Sequence, residues 1–400
     1  MAKFRTLDDI DVRGKRVLLR ADLNVPVKDG VVTDATRIER LAPTINALIE
    51  QGGRVIVMSH FGRPKGGPDP AFSLRPLAQP LRNAIGGREV IFAADCIGEK
   101  ARRVVAALQP GQIALLENLR FHKEEEANSP EFARALAELG DVYVDDAFSA
   151  AHRAHASIDA LAHLLPAAAG KLMEAELEAL TAALESPTRP VLALIGGAKV
   201  STKLDLLRFL ISKVDLLAIG GAMANTLLLA GGKPVGRSLC EREMTDTARE
   251  ILALARDREC RVILPEDAVV ASELAPGAET RHVPVDAVPS DAMILDIGPQ
   301  TVARINSALT ETRTLVWNGP LGAFEIPPFD RGTIAVAKKA AELTQTGKLL
   351  SVAGGGDTVA ALAAAGTTEQ LSYVSTAGGA FLEWLEGRQL PGVAALAATT

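Results

Sequence analysis

The stretch VLALIGGAKVSTK, Val191 to Lys203, sets an apolar run, a pair of glycines and a lysine-bearing polar segment in immediate succession. Its first five residues have the length and composition of a strand buried on both faces, and the segment after Gly196-Gly197 predicts a helix start. A strand that passes through a tight turn into a helix is half of a βαβ unit, the unit from which parallel sheets are built. The fold class turns on whether this pattern repeats.

It repeats along the whole chain. Upstream, short apolar runs fall at Arg16 to Leu19, Val55 to Met58, Val90 to Phe92, Ile113 to Leu116 and Val142 to Val144. Downstream they continue at Leu216 to Ile219, Val262 to Leu264, Met293 to Leu295, Thr314 to Trp317, Leu349 to Val352 and Tyr373 to Val374. Helical patterns lie between them, so each series predicts its own parallel sheet of about six strands covered by helices on both faces. Between the two series, Met173, Leu177, Leu180 and Leu184 recur at helical spacing, and Ser186-Pro187 supplies a stop. This predicts an α/β protein with a first domain over 1–170, a connecting helix over 171–186 and a second domain over 187–388.

Composition narrows the class. At 400 residues the chain exceeds what one core usually organises, and with 48% apolar residues it has material for two. A net charge of -6, with both signs intermixed, offers no field suited to nucleic acid or an anionic membrane. Cys96, Cys240 and Cys260 are far apart and odd in number, which argues against a disulfide framework and for a reducing cytosol. The charged start from Met1 to Ile10 lacks the apolar core of a signal peptide, and no apolar run approaches the roughly 18 residues of a span. The expectation is a cytoplasmic protein with no nucleic-acid or membrane partner.

In open parallel sheets, ligands bind beyond the carboxyl ends of the strands. In the first half those ends are basic: His60, Arg63, Arg120 and Arg153 follow predicted strands, and Arg37 opens a helical stretch. Several guanidinium forks can hold one small dianion in a single orientation, with Asp22 and Asn24 accepting from and donating to a hydroxyl beside it. The alternative for any one arginine is a solvated charge. His152 and His155 flank Arg153 without the further ligands a metal would need, and His122 and His163 read as structural or solvent-facing. The run Glu124 to Glu126 reads as a solvated face.

In the second half the strand ends are glycine-rich. If the segment after Gly197 is helical, Lys199 and Lys203 share one face and both reach phosphates near the turn. Gly354-Gly355-Gly356 followed by Asp357 and Thr358 is a sharper signal: the amides and helix N-terminus attract phosphate, and Asp357 is a hard oxygen ligand suited to Mg2+. The competing reading of Asp357 is a plain N-cap. Ser375 to Gly379 follows the next strand and adds further amides. Neither loop carries GxGxxG with an acid about twenty positions on, which counts against a dehydrogenase. No nucleophile elbow or Cys-His pair appears, so direct transfer between two bound ligands is favoured over a covalent enzyme intermediate. A two-lobed binding protein without chemistry is the reading from another class.

At this point the motifs RADLNVP from Arg20, SHFGRP from Ser59, LLENLRFH from Leu115, DDAFSAAHRAHAS from Asp145, IGGAKVSTK from Ile195, VWNGPLGAFE from Val316 and GGGDT from Gly354 resemble, in order and along essentially the whole chain, the phosphoglycerate kinase family. The resemblance implies two Rossmann-like domains joined by a helix and hinge, with residues 389–400 returning to the first domain. It implies reversible phosphoryl transfer from 1,3-bisphosphoglycerate to ADP, giving ATP and 3-phosphoglycerate in glycolysis and gluconeogenesis. It places 3-phosphoglycerate on Asp22, Asn24, Arg37, His60, Arg63, Arg120 and Arg153. The nucleotide falls to Gly197, Lys199, Lys203, Asn318, Glu325, Gly354, Gly355, Gly356, Asp357 and Thr358, with Asp357 holding Mg2+ and Glu325 reaching the ribose. Arg37, Lys199, Gly355 and Gly378 form the catalytic set. Ala222 and Ala377 stand where the family usually has glycine.

Overall fold

The computed structural model describes residues 4–28 and 30–397. Contacts divide the chain into two compact units, Met1–Leu177 with Gln389–Thr400, and Glu178–Arg388.

The first unit is built on six strands: β1 (Arg16–Arg20), β2 (Arg54–Met58), β3 (Val90–Ala93), β4 (Ile113–Leu116), β5 (Val142–Asp145) and β6 (Ala167–Ala169). They lie in the order β3-β4-β2-β1-β5-β6, and every neighbouring pair is parallel. β1 is central because Val17, Leu18 and Leu19 are apolar on both faces and fully buried. Its last residue, Arg20, pairs in register with Met58 and Asp145, so charged and polar groups begin together at one edge of the sheet. β6 escaped the sequence reading because three alanines carry no β-branched signal. It forms because β5 offers a free edge, and Tyr143 N–H reaches the Pro166 carbonyl at 2.9 Å while Gly170 N–H reaches that of Asp145 at 2.8 Å.

The helix α1 (Thr36–Glu50) starts where Asp34 accepts the Thr36 amide at 2.9 Å. Ile38, Leu41, Ile45, Leu48 and Ile49 form its buried stripe and cover the sheet. Each such residue contributes roughly 1.5–3 kcal/mol of burial, which fixes the helix rotation and leaves Arg37 off the core face at its N-terminal turn. The helix α2 (Lys171–Leu180) begins on Asp146, whose carboxylate accepts the amides of Leu172 at 2.9 Å and Met173 at 3.0 Å. It continues as a π-turn over Thr181–Glu185, and Met173, Leu177, Leu180 and Leu184 are all buried. A short helix, Pro391–Leu396, completes the first unit, and Gly392 N–H reaches the Ala151 carbonyl at 2.9 Å.

The second unit carries β7 (Val191–Ile195), β8 (Leu216–Ile219), β9 (Arg261–Ile263), β13 (Thr314–Asn318), β14 (Leu350–Gly354) and β15 (Tyr373–Ser375), in the order β9-β8-β7-β13-β14-β15, all parallel. The intervening strands β10 (Asp267–Ala271), β11 (Arg281–Pro284) and β12 (Met293–Ile297) make a separate antiparallel sheet in the order β11-β10-β12. Met293 to Leu295 is thus a strand, but not of the main sheet. No helical crossover joins β10 to β11, and short connections give antiparallel pairs.

Asp296 sits at the end of β12, almost fully buried, accepting amides from Gly332 at 2.7 Å and Ile297 at 2.8 Å. Burial pushes its carboxyl up to about 7, against those donors, which favour the charged form. The ordinary unfolded value is about 3.9, so between about pH 4 and about pH 7 the folded chain holds a proton that the unfolded chain has released. The stability from this group is full below that window and is lost as pH rises through about 7. Asp296→Asn should therefore show a shallower fall in urea-unfolding free energy from about pH 5 to about pH 8 than the parent; equal slopes would contradict the assignment.

Candidate active site

At the carboxyl end of the first sheet, the Arg20 guanidinium is fully buried. Its Nε donates to Ser157 Oγ at 2.9 Å, Nη1 donates to the Ala21 carbonyl, and Nη2 lies 3.2 Å from His60 Nδ1. The charge is answered by Glu125, which is wholly buried and accepts from Ser157 Oγ at 2.6 Å and Ser157 N–H at 2.9 Å. Burial raises the Glu125 carboxyl, and Arg20 and Ser157 pull it back down. Glu125 is therefore not part of a solvated face. A buried ion is stable only when hydrogen-bonded and paired, and this one closes a loop of both.

A guanidinium can only donate, so the Arg20 contact makes Nδ1 of His60 an acceptor and leaves the proton on Nε2. Burial first, then the charges of Arg20, Arg120, Arg153 and the His155 ring, hold His60 well below its usual pKa. His155 is driven the same way, to about 4, by burial and the same arginines.

Around this base the expected residues assemble. Asp22 takes Arg37 Nη1 at 2.9 Å and also the Ser149 hydroxyl. The same Arg37 nitrogen donates to the Asn24 carbonyl at 3.0 Å, and Asn24 Oδ1 accepts the Gly62 amide at 2.9 Å. Arg120 is buried, donates to the Gly62 carbonyl at 2.8 Å and has Nε 3.1 Å from Glu126. Arg153 Nε lies 3.2 Å from the His152 ring. Arg63, next to Gly62, is exposed. Arg20, Glu125, Ser149 and Ser157 were missed by the sequence reading, although Arg20 opens the first motif and both serines lie within the fourth. The available signal for Arg20 was its position at the last register point of a strand buried on both faces.

In the second unit, close backbone packing builds the other edge. A Cβ on Gly196 would lie 1.8 Å from the Pro320 carbonyl oxygen, and one on Gly319, at φ +100°, would lie 2.2 Å from the Gly196 oxygen. Only glycine admits this approach. Lys203 donates to Asn318 Oδ1, Asn318 Nδ2 donates to the Gly354 carbonyl at 2.7 Å, and Gly319 N–H donates to Thr358 Oγ1 at 2.7 Å. Burial drops the Lys203 ammonium to about 8, with Asp357 and Glu386 opposing. Gly197, Glu325 and Asp357 line one cavity of about 310 Å3, together with Asn225, Leu239 and Leu274.

One local expectation is corrected, one competing reading is set aside, and the two alanines find their places. The helix α3 (Leu204–Ile211) starts only after a 3-10 turn over Ser201–Lys203, so Lys199 lies in an exposed bend and does not share a helix face with Lys203. Glu241 ties that turn down, accepting the Ser201 amide at 3.0 Å and its hydroxyl. Asp357 is not an N-cap: Gly355, at φ +98°, caps α5 (Gly356–Ala364), and Asp357 is an exposed carboxylate in the first turn. Neither Ala222 nor Ala377 has a positive φ; Ala222 lies in α4 (Gly221–Ala230), and the Ala377 amide donates to Ser375 Oγ at 3.2 Å. The catalytic candidates Gly355 and Gly378 both do, at +98° and +58°.

Two parallel sheets, one ending in guanidinium groups and the other in glycine-rich turns and a lysine, make this a protein of two α/β units with cation-bearing strand ends. The family model for phosphoglycerate kinase matches residues 7–388. Phosphoglycerate kinase of a Methylorubrum extorquens strain is 63% identical over 399 residues, covering 100% of both chains. That of Rhodospirillum centenum is 60% identical over 395 residues, covering 99% of this chain and 100% of its own. Among solved structures, phosphoglycerate kinase from Coxiella burnetii superposes with a TM-score of 0.91 at 44% identity, and that from Pyrococcus horikoshii with 0.78 at 32%, each covering 98% of both chains. The chain belongs to the phosphoglycerate kinase family.

The Arg20 contact predicts that His60 remains a neutral Nε2–H imidazole at about pH 6, where an ordinary histidine is largely charged. Long-range proton–nitrogen NMR should show a bare Nδ1. An imidazolium signal from His60 at that pH would overturn the assignment.

Proposed function

We propose that the phosphoglycerate kinase activity of this chain is a direct in-line transfer, with the acid substrate on the first unit and the nucleotide on the second. The observation that carries this is the convergence, at one sheet edge, of Asp22, Asn24, Arg37 and Arg120 through hydrogen bonds that run by way of Gly62, with the His60 ring held by Arg20 and within the field of Arg120. Arg63 and Arg153 complete that acid seat. In the transfer, the terminal oxygen of ADP attacks the acyl phosphate of 1,3-bisphosphoglycerate as its bond to the carboxyl oxygen breaks, leaving ATP and 3-phosphoglycerate. The reverse follows the same path.

A loose, metaphosphate-like transition state leaves little covalent work, so charge on the moving group must be met by fixed cations and amides. Arg37 supplies one, held by Asp22 and the Asn24 carbonyl; Lys199 supplies another, from a bend free of helix constraint; Gly355 and Gly378 add amides. Lys203, Asn318, Gly354, Gly356 and Thr358 seat the phosphates, with Gly197 beside them and Glu325 toward the ribose. The exposed Asp357 carboxylate beside Gly197 and Glu325 fits Mg2+, which keeps several waters and shares its shell with phosphates. When bound, that ion neutralises phosphate charge.

Reacting atoms must approach within roughly 3–3.5 Å, so the reading requires closure of the two units about the connecting helix over 171–186. We take the acting form to be a monomer in the cytoplasm. Free Cys96, Cys240 and Cys260 support a reducing compartment, and no helix among the described residues is long and apolar enough to cross a membrane.

Lys199→Ala should lower kcat by orders of magnitude with little change in substrate binding, because its contact strengthens only in the transition state. A rise in KM alone would remove it from the catalytic set. Arg63→Ala should mainly weaken binding of 3-phosphoglycerate in calorimetry; unchanged affinity would take it out of the acid seat.

A further inference from the structure

Asp95, Cys96 and His122 are three metal-type side chains that the described residues bring together, none of them given to either substrate: one ligand atom from each lies within 4.8 Å of the others. Asp95 and Cys96 follow β3, His122 follows β4, and these strands are hydrogen-bonded neighbours. The arrangement is preorganised. His122 Nε2 is 2.9 Å from Asp95 Oδ1, the Cys96 amide donates to that oxygen at 2.8 Å, and the His122 ring packs against Phe132 with centroids 5.3 Å apart. Cys96 is fully buried beneath two side chains that keep about a third of their surface in water.

We propose that Asp95, Cys96 and His122 form a binding site for a late first-row divalent cation of the zinc type, with a further position open to water. Zinc bonds of about 2.0–2.3 Å set tetrahedral ligand atoms roughly 3.2–3.8 Å apart, and the three atoms here stand no more than 4.8 Å from one another. A mixed sulfur, nitrogen and oxygen set selects zinc-like ions over Mg2+, which prefers an all-oxygen shell. Burial, and then the negative charge of Asp95, Glu125 and Glu117, keeps the free thiol protonated. The same carboxylates favour a cation at the sulfur. Uptake exchanges the thiol proton for the ion, releases it to water, and moves the His122 proton from Nε2 to Nδ1. The set is chemically distinct from the oxygen site at Asp357, and Cys240 and Cys260 belong to no such group among the described residues.

Co2+ is a visible probe for this site. Titrating the whole protein with Co2+ in excess Mg2+ should produce a saturable sulfur-to-cobalt charge-transfer band at one equivalent, displaced by Zn2+. The band should persist in Cys240→Ala and vanish in Cys96→Ala. His122→Gln, at a partly exposed ring, provides the second variant and should weaken Co2+ binding. Absence of a saturable band in the parent overturns the proposal. So does a band that survives Cys96→Ala, or an unchanged band and affinity in His122→Gln. None of these readouts depends on catalytic activity.

Discussion

A strand buried on both faces has only its ends to offer chemistry, and this constraint organises the molecule. Val17 to Leu19 in the first unit and Val191 to Ile195 in the second are fully buried, so no polar group can stand along them without a partner. Polar residues therefore collect where the central strands stop together: Arg20 beside Met58 and Asp145, and Asn318 beside Ile195. The two edges are built by different physical means.

In the first unit the means is charge. Four cationic or imidazole groups facing His60 would repel one another and any further proton, and His60 and His155 are both driven toward their neutral forms. What holds the group together is the buried Glu125, tied to Arg20 through Ser157. Removing one partner of such a pair strands the other in low dielectric, typically costing about 3–5 kcal/mol. Glu125 and Arg20 are thus structural partners within this buried cluster, each hydrogen-bonded to Ser157.

In the second unit the means is backbone geometry. Gly196, Gly319 and Pro320 approach so closely that any side chain at the glycines would strike a carbonyl. Asn318 then acts as a bridge, receiving Lys203 on its oxygen and donating to Gly354 from its nitrogen. Desolvation at that bridge brings the Lys203 ammonium to about 8.

Alternating apolar runs and glycine turns carried the two parallel sheets, and the ordered motifs carried the family, because strand burial and turn conformation are local demands that a few adjacent residues satisfy. That Asp22, Asn24, Arg37, His60 and Arg120 gather at one sheet edge was legible for the same reason: a parallel sheet places its strand ends together whatever the loops do. Tertiary structure alone decided the rest. Ala167–Ala169 is a strand only because an edge awaited it, and β10 to β12 left the main sheet because short connections cannot cross it. Lys199 lies outside the helix, next to a turn that Glu241 ties down from forty residues beyond Ser201, and Glu125 lies inside, linked to Arg20 through Ser157. Each depends on a partner distant in sequence, and pairing of that kind is written in no single stretch of the chain.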